Sequence, residues 1–212
     1  MASASSISIS SSIKIASSLI GASSSWWNET NCRTRFNKSS KAIGYQVNSG
    51  STKVDLKASD LTPGSLGEAK VEAKTGISNI EVEIKGLPQP SKFGTEFLTY
   101  VLWSVSPDGR TSNLGEVVTD KNGQGKLRAT TQLQTFSLIV TAEPYFSVRQ
   151  PSELVVLENE TRKDTKGKIF PIADYKLMRR GHYEKMGNPL ALTLDTKTVP
   201  LEMYEARNAL DI

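Results

Sequence analysis

The sequence predicts a mainly β protein: an antiparallel β-sandwich with a disordered N-terminal leader and a short C-terminal helix. Three observations carry this reading. Between residues 52 and 159, short runs alternate apolar and polar residues and are punctuated by Gly, Pro and Asn. Ahead of them, twelve of the first 25 residues are serine, a texture that builds no core. After Pro200 the apolar residues change to helical spacing.

The leader is assigned to residues 1–50. Its first ten residues carry no basic side chain, and its best apolar window, "IKIASSLIGA", is broken by Lys14, Ser17 and Ser18. A secretory signal needs a charged start and an uninterrupted apolar stretch, so it fits poorly. The "MAS" start, the serine dominance and the basic cluster "CRTRFNKSSK" resemble a plant chloroplast transit peptide. That resemblance implies a plastid protein processed near residues 42–52. A plain low-complexity tail is the alternative.

The leader also explains the net charge of +4. Residues 1–50 hold five basic side chains and one acidic, whereas residues 51–212 hold 21 of each. The remainder is neutral, so no nucleic-acid partner is expected. No run of about 20 apolar residues exists, and no transmembrane helix is expected.

Residues 52–159 are the sandwich domain. "TKVDLKA", "GEAKVEAK" and "NIEVEIKG" each put small or branched apolar residues on one side and charges on the other, as half-buried strands do. "FLTYVLWSV", residues 97–105, is too apolar for a strand with one wet face and predicts a central strand covered on both faces. Pro107-Asp108-Gly109 reads as a turn. "NLGEVVTD" and "GKLRATT" flank Lys121-Asn122-Gly123-Gln124, a β-hairpin signal. "TFSLIVTAEP" and "SELVVLEN" complete about eight strands, immunoglobulin-like in number and size. The single cysteine, Cys32, excludes the disulfide that marks antibody domains.

Residues 160–197 read as a basic, irregular linker. Within residues 162–185, Arg162, Lys163, Lys166, Lys168, Lys176, Arg179, Arg180 and Lys185 are opposed only by Asp164, Asp174 and Glu184. They are the candidate contact for an anionic surface, such as lipid headgroups or an envelope polymer. Residues 198–212 read as the start of a helix. Pro200 suits its first position and Glu202 its first turn. Met203, Ala206 and Leu210 form its apolar stripe, flanked by Leu201 and Tyr204, and the helix is expected to dock or to continue into a longer helical region.

Catalytic chemistry finds little material. His182 is the only histidine and lies in the charged stretch "RRGHYEK", eight residues from Asp174. A Ser-His-Asp site needs an oriented histidine, and nothing in the spacing supplies one. One histidine and one cysteine exclude multi-Cys/His metal centres, so no catalytic residue, cofactor or metal is expected. "NGQGK" lacks the spacing and the strand-to-helix setting of a phosphate loop.

"FGTEFLTYVLWSVSPDGRTSNLGEV" and "GKLRATTQLQTFSLIVTAEPYFSVRQPSELVVLEN" resemble a group of bacterial envelope proteins. "YVLWSVSPDGR" and "LIVTAEPYFSV" carry most of the likeness, and "NPLALTLDTKTVPLEMYEARNALDI" resembles the junction where their helical region begins. The resemblance spans residues 52–212. It implies an N-terminal β-sandwich ahead of a helical region, sometimes followed by an OmpA-like peptidoglycan-binding domain. It implies a non-enzymatic interaction or structural module of the periplasm or envelope, with protein or polymer partners. The leader departs from that group, since Cys32 sits in "ETNCRT" and forms no lipobox. The two further expectations are a plastid accessory protein and, more weakly, a sandwich-fold carbohydrate-active enzyme.

Overall fold

Alternating residues become paired strands where one face has a core to meet. A computed structural model of the chain describes residues 35–178 and 197–211. Among these residues there are ten strands and one α-helix. The strands are β1 (Arg35–Gly44), β2 (Ser51–Ala58), β3 (Leu66–Lys74), β4 (Ile77–Lys85), β5 (Thr99–Val105), β6 (Thr111–Glu116), β7 (Gly125–Thr131), β8 (Thr135–Glu143), β9 (Val155–Glu160) and β10 (Lys168–Met178). Helix α1 is Leu201–Asp211. The strands join one antiparallel sheet.

The mainly β, antiparallel expectation holds, but the sheet wraps nearly into a barrel. Strand β8 is the reason. It pairs with β5 along residues 137–143, with β1 at Phe136 and with β9 from Ile139, so no gap divides two sheets. The path runs β6-β5-β8-β9-β2-β3-β4-β7, and its ends meet where Leu127 packs 3.5 Å from the position a Cβ would take on Gly115.

The alternation read from the sequence sets the interior. Val54, Leu56, Ala69, Val71, Ala73, Ile80, Val82 and Ile84 all point inward, where they meet Tyr100, Leu102, Phe136, Leu138 and Val140. A second cluster lies on the other face of β5 and β8. There Val101, Trp103, Val105 and Ile139 pack against Ala42 of β1 and Ile172, Tyr175 and Leu177 of β10. Strand β5 is therefore buried on both faces, as its composition requires.

That second cluster corrects two boundaries. Residues 35–44, assigned to the leader, form β1, which runs antiparallel to β10 from Arg35↔Met178 to Gly44↔Lys168. Ala42 and Ile43 are fully buried there. Processing at residues 42–52 would remove this strand. Residues 168–178, assigned to the irregular linker, are β10 itself. Strand β1 is mostly polar, and in β10 Pro171 and a register shift opposite Lys38–Ser40 interrupt the pattern, so neither shows a clean alternation. Residues 1–34 of the leader and residues 179–196 lie outside the described residues.

The Asn122-Gly123 hairpin is also corrected. The tight turn is present, with Gly123 N donating to Asp120 O and Asp120 N to Gln124 O. Its flanking strands separate, however: β6 pairs with β5, and β7 pairs with β4. Gly123 has a φ of 69°, and a Cβ on it would come within 2.0 Å of Leu87 O. The glycine serves a close backbone crossing as well as a turn.

Candidate functional site

The structure takes the basic residues apart. Arg162 lies just beyond β9 and pairs with Asp164 at 3.0 Å, Asp55 at 3.2 Å and Glu68 at 3.4 Å. Asp164 first, and then Asp55, raise its pKa above the usual guanidinium value. This guanidinium ties the β9–β10 turn to β2 and β3 and is committed to that work. Lys163, Lys166 and Lys168 are exposed around the same turn, with Lys168 Nζ 5.3 Å from the Phe170 ring centre. Lys176 is exposed far along β10, eight residues and about 26 Å from Lys168 at ~3.3 Å per residue. The turn thus gathers three lysines and leaves Lys176 apart. Arg179, Arg180 and Lys185 lie outside the described residues, as do His182 and Cys32. Asp174, weighed above as a partner for that histidine, accepts a hydrogen bond from Asn37 Nδ2 at 3.0 Å.

Beside this turn the barrel wall has an open hollow of about 480 Å³. It is built where β1 splays from β9, so its walls come from distant parts of the chain. Lys38, Lys41 and Lys57 line it against Asp60, Glu158 and Glu160. Lys38 pairs with Glu158, and Lys57 lies 3.7 Å from Glu160. Burial lowers the Lys38 pKa, and the Asp60 charge opposes that shift. Asn159 fixes the wall, donating to Lys41 O at 3.0 Å and accepting from Ser137 Oγ. With three cations facing three anions, the hollow has no net pull on an anion. Sequence reading misses it because β1 was not recognised as a strand.

A polar chain runs through the second core cluster. Trp103 Nε1 donates to Thr141 Oγ1 at 2.8 Å, and Thr141 donates to Glu143 Oε1 at 2.6 Å. Ser152 N also donates to Glu143 Oε1, at 2.6 Å. All four residues are sealed from solvent. Their bonds satisfy a carboxylate that would otherwise be costly inside the fold, which makes this chain a structural fixture.

Helix α1 docks by the side the sequence did not favour. Tyr204, Glu205 and Asn208 are buried, whereas Met203 is 61 % exposed and Leu210 88 %. Ala206, between them on the same stripe, is exposed too. Asn208 Nδ2 donates to Glu96 O at 3.0 Å and to Pro144 O at 3.1 Å. The predicted apolar stripe exists, but it faces water because two backbone carbonyls at the ends of β5 and β8 recruit the amide side of the helix. Leu201 lies at the margin, half-buried.

Among the described residues, no group of three or more His, Cys, Asp or Glu is placed to hold a metal ion, and no helix is long and apolar enough to cross a membrane. Comparison with protein-family models, with curated proteins and with solved structures gives no match for this chain.

Proposed function

We propose that the protein is a non-enzymatic interaction module of cell-envelope type, a β domain that holds out α1 as its contact element. The observation that supports this reading is the inverted docking of the helix. Asn208 and its neighbours fasten the polar side to the barrel, while Met203, Ala206 and Leu210 remain in water. An apolar stripe held in solvent by a polar clamp is suited to a partner's apolar surface, such as a helix packing at i, i+3, i+7 spacing. The partner is a protein, and the lysines of the β9–β10 turn add a weak, salt-sensitive attraction to anionic surfaces.

A photo-crosslinking residue at Met203, compared with one at exposed Lys126 on β7, tests this in envelope fractions. Crosslinks from position 203 that vanish with Leu210→Asp are expected. Equal crosslinking from both positions would overturn the reading. The serine-rich, acid-poor leader favours a second setting, a plastid accessory protein. Failure of residues 1–34 to carry a fluorescent fusion into plastids would remove it.

A further inference from the structure

The clamp that holds α1 contains a group without a partner. On the buried side of the helix, Glu205 lies between Tyr204 and Asn208 and is 3 % exposed. Its Oε1 receives no hydrogen bond. Two carboxylates bear on its charge, Glu116 at the end of β6 and Glu202 in the first turn of α1. The other charged groups at this junction offer no relief. Glu96, whose carbonyl binds Asn208, is itself buried. Glu143, at the end of β8, is held by Thr141 and Ser152 N. Arg207 lies over the Tyr204 ring at 5.4 Å, with Nη2 reaching Asn208 Oδ1 at 3.5 Å.

A carboxylate in such a place is expensive, whereas the neutral acid is tolerated. We infer that α1 is a pH-sensitive clasp, docked while Glu205 is protonated and loosened when Glu205 ionises against Glu116 and Glu202. Burial first, then the charges of Glu116 and Glu202, push the Glu205 carboxyl from 4.5 up to about 7. The docked state therefore binds the proton more tightly than the undocked state. Docking is strongest below the undocked value of 4.5, weakens as pH rises from there to about 7, and levels off above it. Across that window the docking constant falls on the order of a hundredfold. Loosening would free the carbonyls of Glu96 and Pro144 and alter how Met203 and Leu210 are presented.

Amide hydrogen exchange of residues 201–211 in the full chain, at about pH 5.5 and about pH 8 with intrinsic rates divided out, tests the clasp. Protection of α1 is expected to fall at least about tenfold in the native chain. Glu205→Gln should hold α1 protected at both values, and Glu116→Gln should move the midpoint down. Exchange in β5 and β8 reports whether each variant is folded. Equal protection of native α1 at both pH values would overturn the inference, as would an unchanged pH dependence in folded Glu205→Gln. If Glu205→Gln does not fold, an unmoved midpoint in Glu116→Gln overturns it instead. The inference extends the proposed contact role but is measured without a partner. Failure of the clasp leaves the crosslinks at Met203 standing, and loss of those crosslinks leaves the clasp standing.

Discussion

Replacing Ile172 with alanine measures whether β10 is a structural wall of the domain. Ile172 is 1 % exposed and packs in the cluster that contains Trp103, Val105 and Ile139. The change removes three carbons. At about 0.8 kcal/mol each they account for about 2.4 kcal/mol of transfer free energy, and the cavity left in a packed site raises the cost to about 3 kcal/mol. In urea, with a slope of about 2 kcal/mol per molar for a domain of this size, the midpoint should drop by about 1.5 M. The same cost lowers Tm by about 6–12 °C. Lys176→Ala on the exposed side of β10 is the control and should change stability by less than about 0.5 kcal/mol. Far-UV circular dichroism follows both variants. If Ile172→Ala unfolds at the same urea concentration as Lys176→Ala, β10 does not cover β5 and β8, and the two-cluster core is wrong.

Two further outcomes follow from the same packing. A chain beginning at residue 46 should unfold at markedly lower urea than one beginning at residue 35, because it lacks buried Ala42, Ile43 and Tyr45 and the strand that pairs with β10; equal midpoints would show that β1 adds nothing. Thr141→Val should cost about 2–3 kcal/mol by calorimetry, since it strands the Trp103 indole N–H and removes one donor from Glu143. Trp103→Phe in the same chain should then cost less than it does alone, as coupled partners require.

Much of the barrel was legible because its strands repeat at period two. In β2, β3 and β4 the core-facing residues recur at every second position and are mostly apolar, from Val54 and Leu56 through Ala69, Val71 and Ala73 to Ile80, Val82 and Ile84. The two-sided burial of β5 was legible for the opposite reason, since its residues leave no polar face. What covered it was not. The cover is a ribbon of β1 and β10, 137 residues apart at the Asn37–Asp174 bond; β1 has too few apolar residues to announce a strand, and β10 has its period broken at Pro171 and by a register shift. The candidate site was less legible still. The charged hollow, the Arg162 tie and the α1 clamp are all assembled across long sequence separations.

The sequence by itself determined the β class, the position of most turns, the neutral body with its basic leader and the presence of a C-terminal helix. These depend on local periodicity, turn chemistry and charge counting, which need no neighbours. Tertiary structure decided the rest. It closed the sheet nearly into a barrel through the shared strand β8, split the Asn-Gly turn's flanking strands between different partners and spent Arg162 on Asp55, Glu68 and Asp164. It also turned α1 so that Asn208 meets two carbonyls while Met203 and Leu210 face water. An amphipathic pattern shows which residues share a face. Only the groups waiting on the opposing surface decide which face is buried.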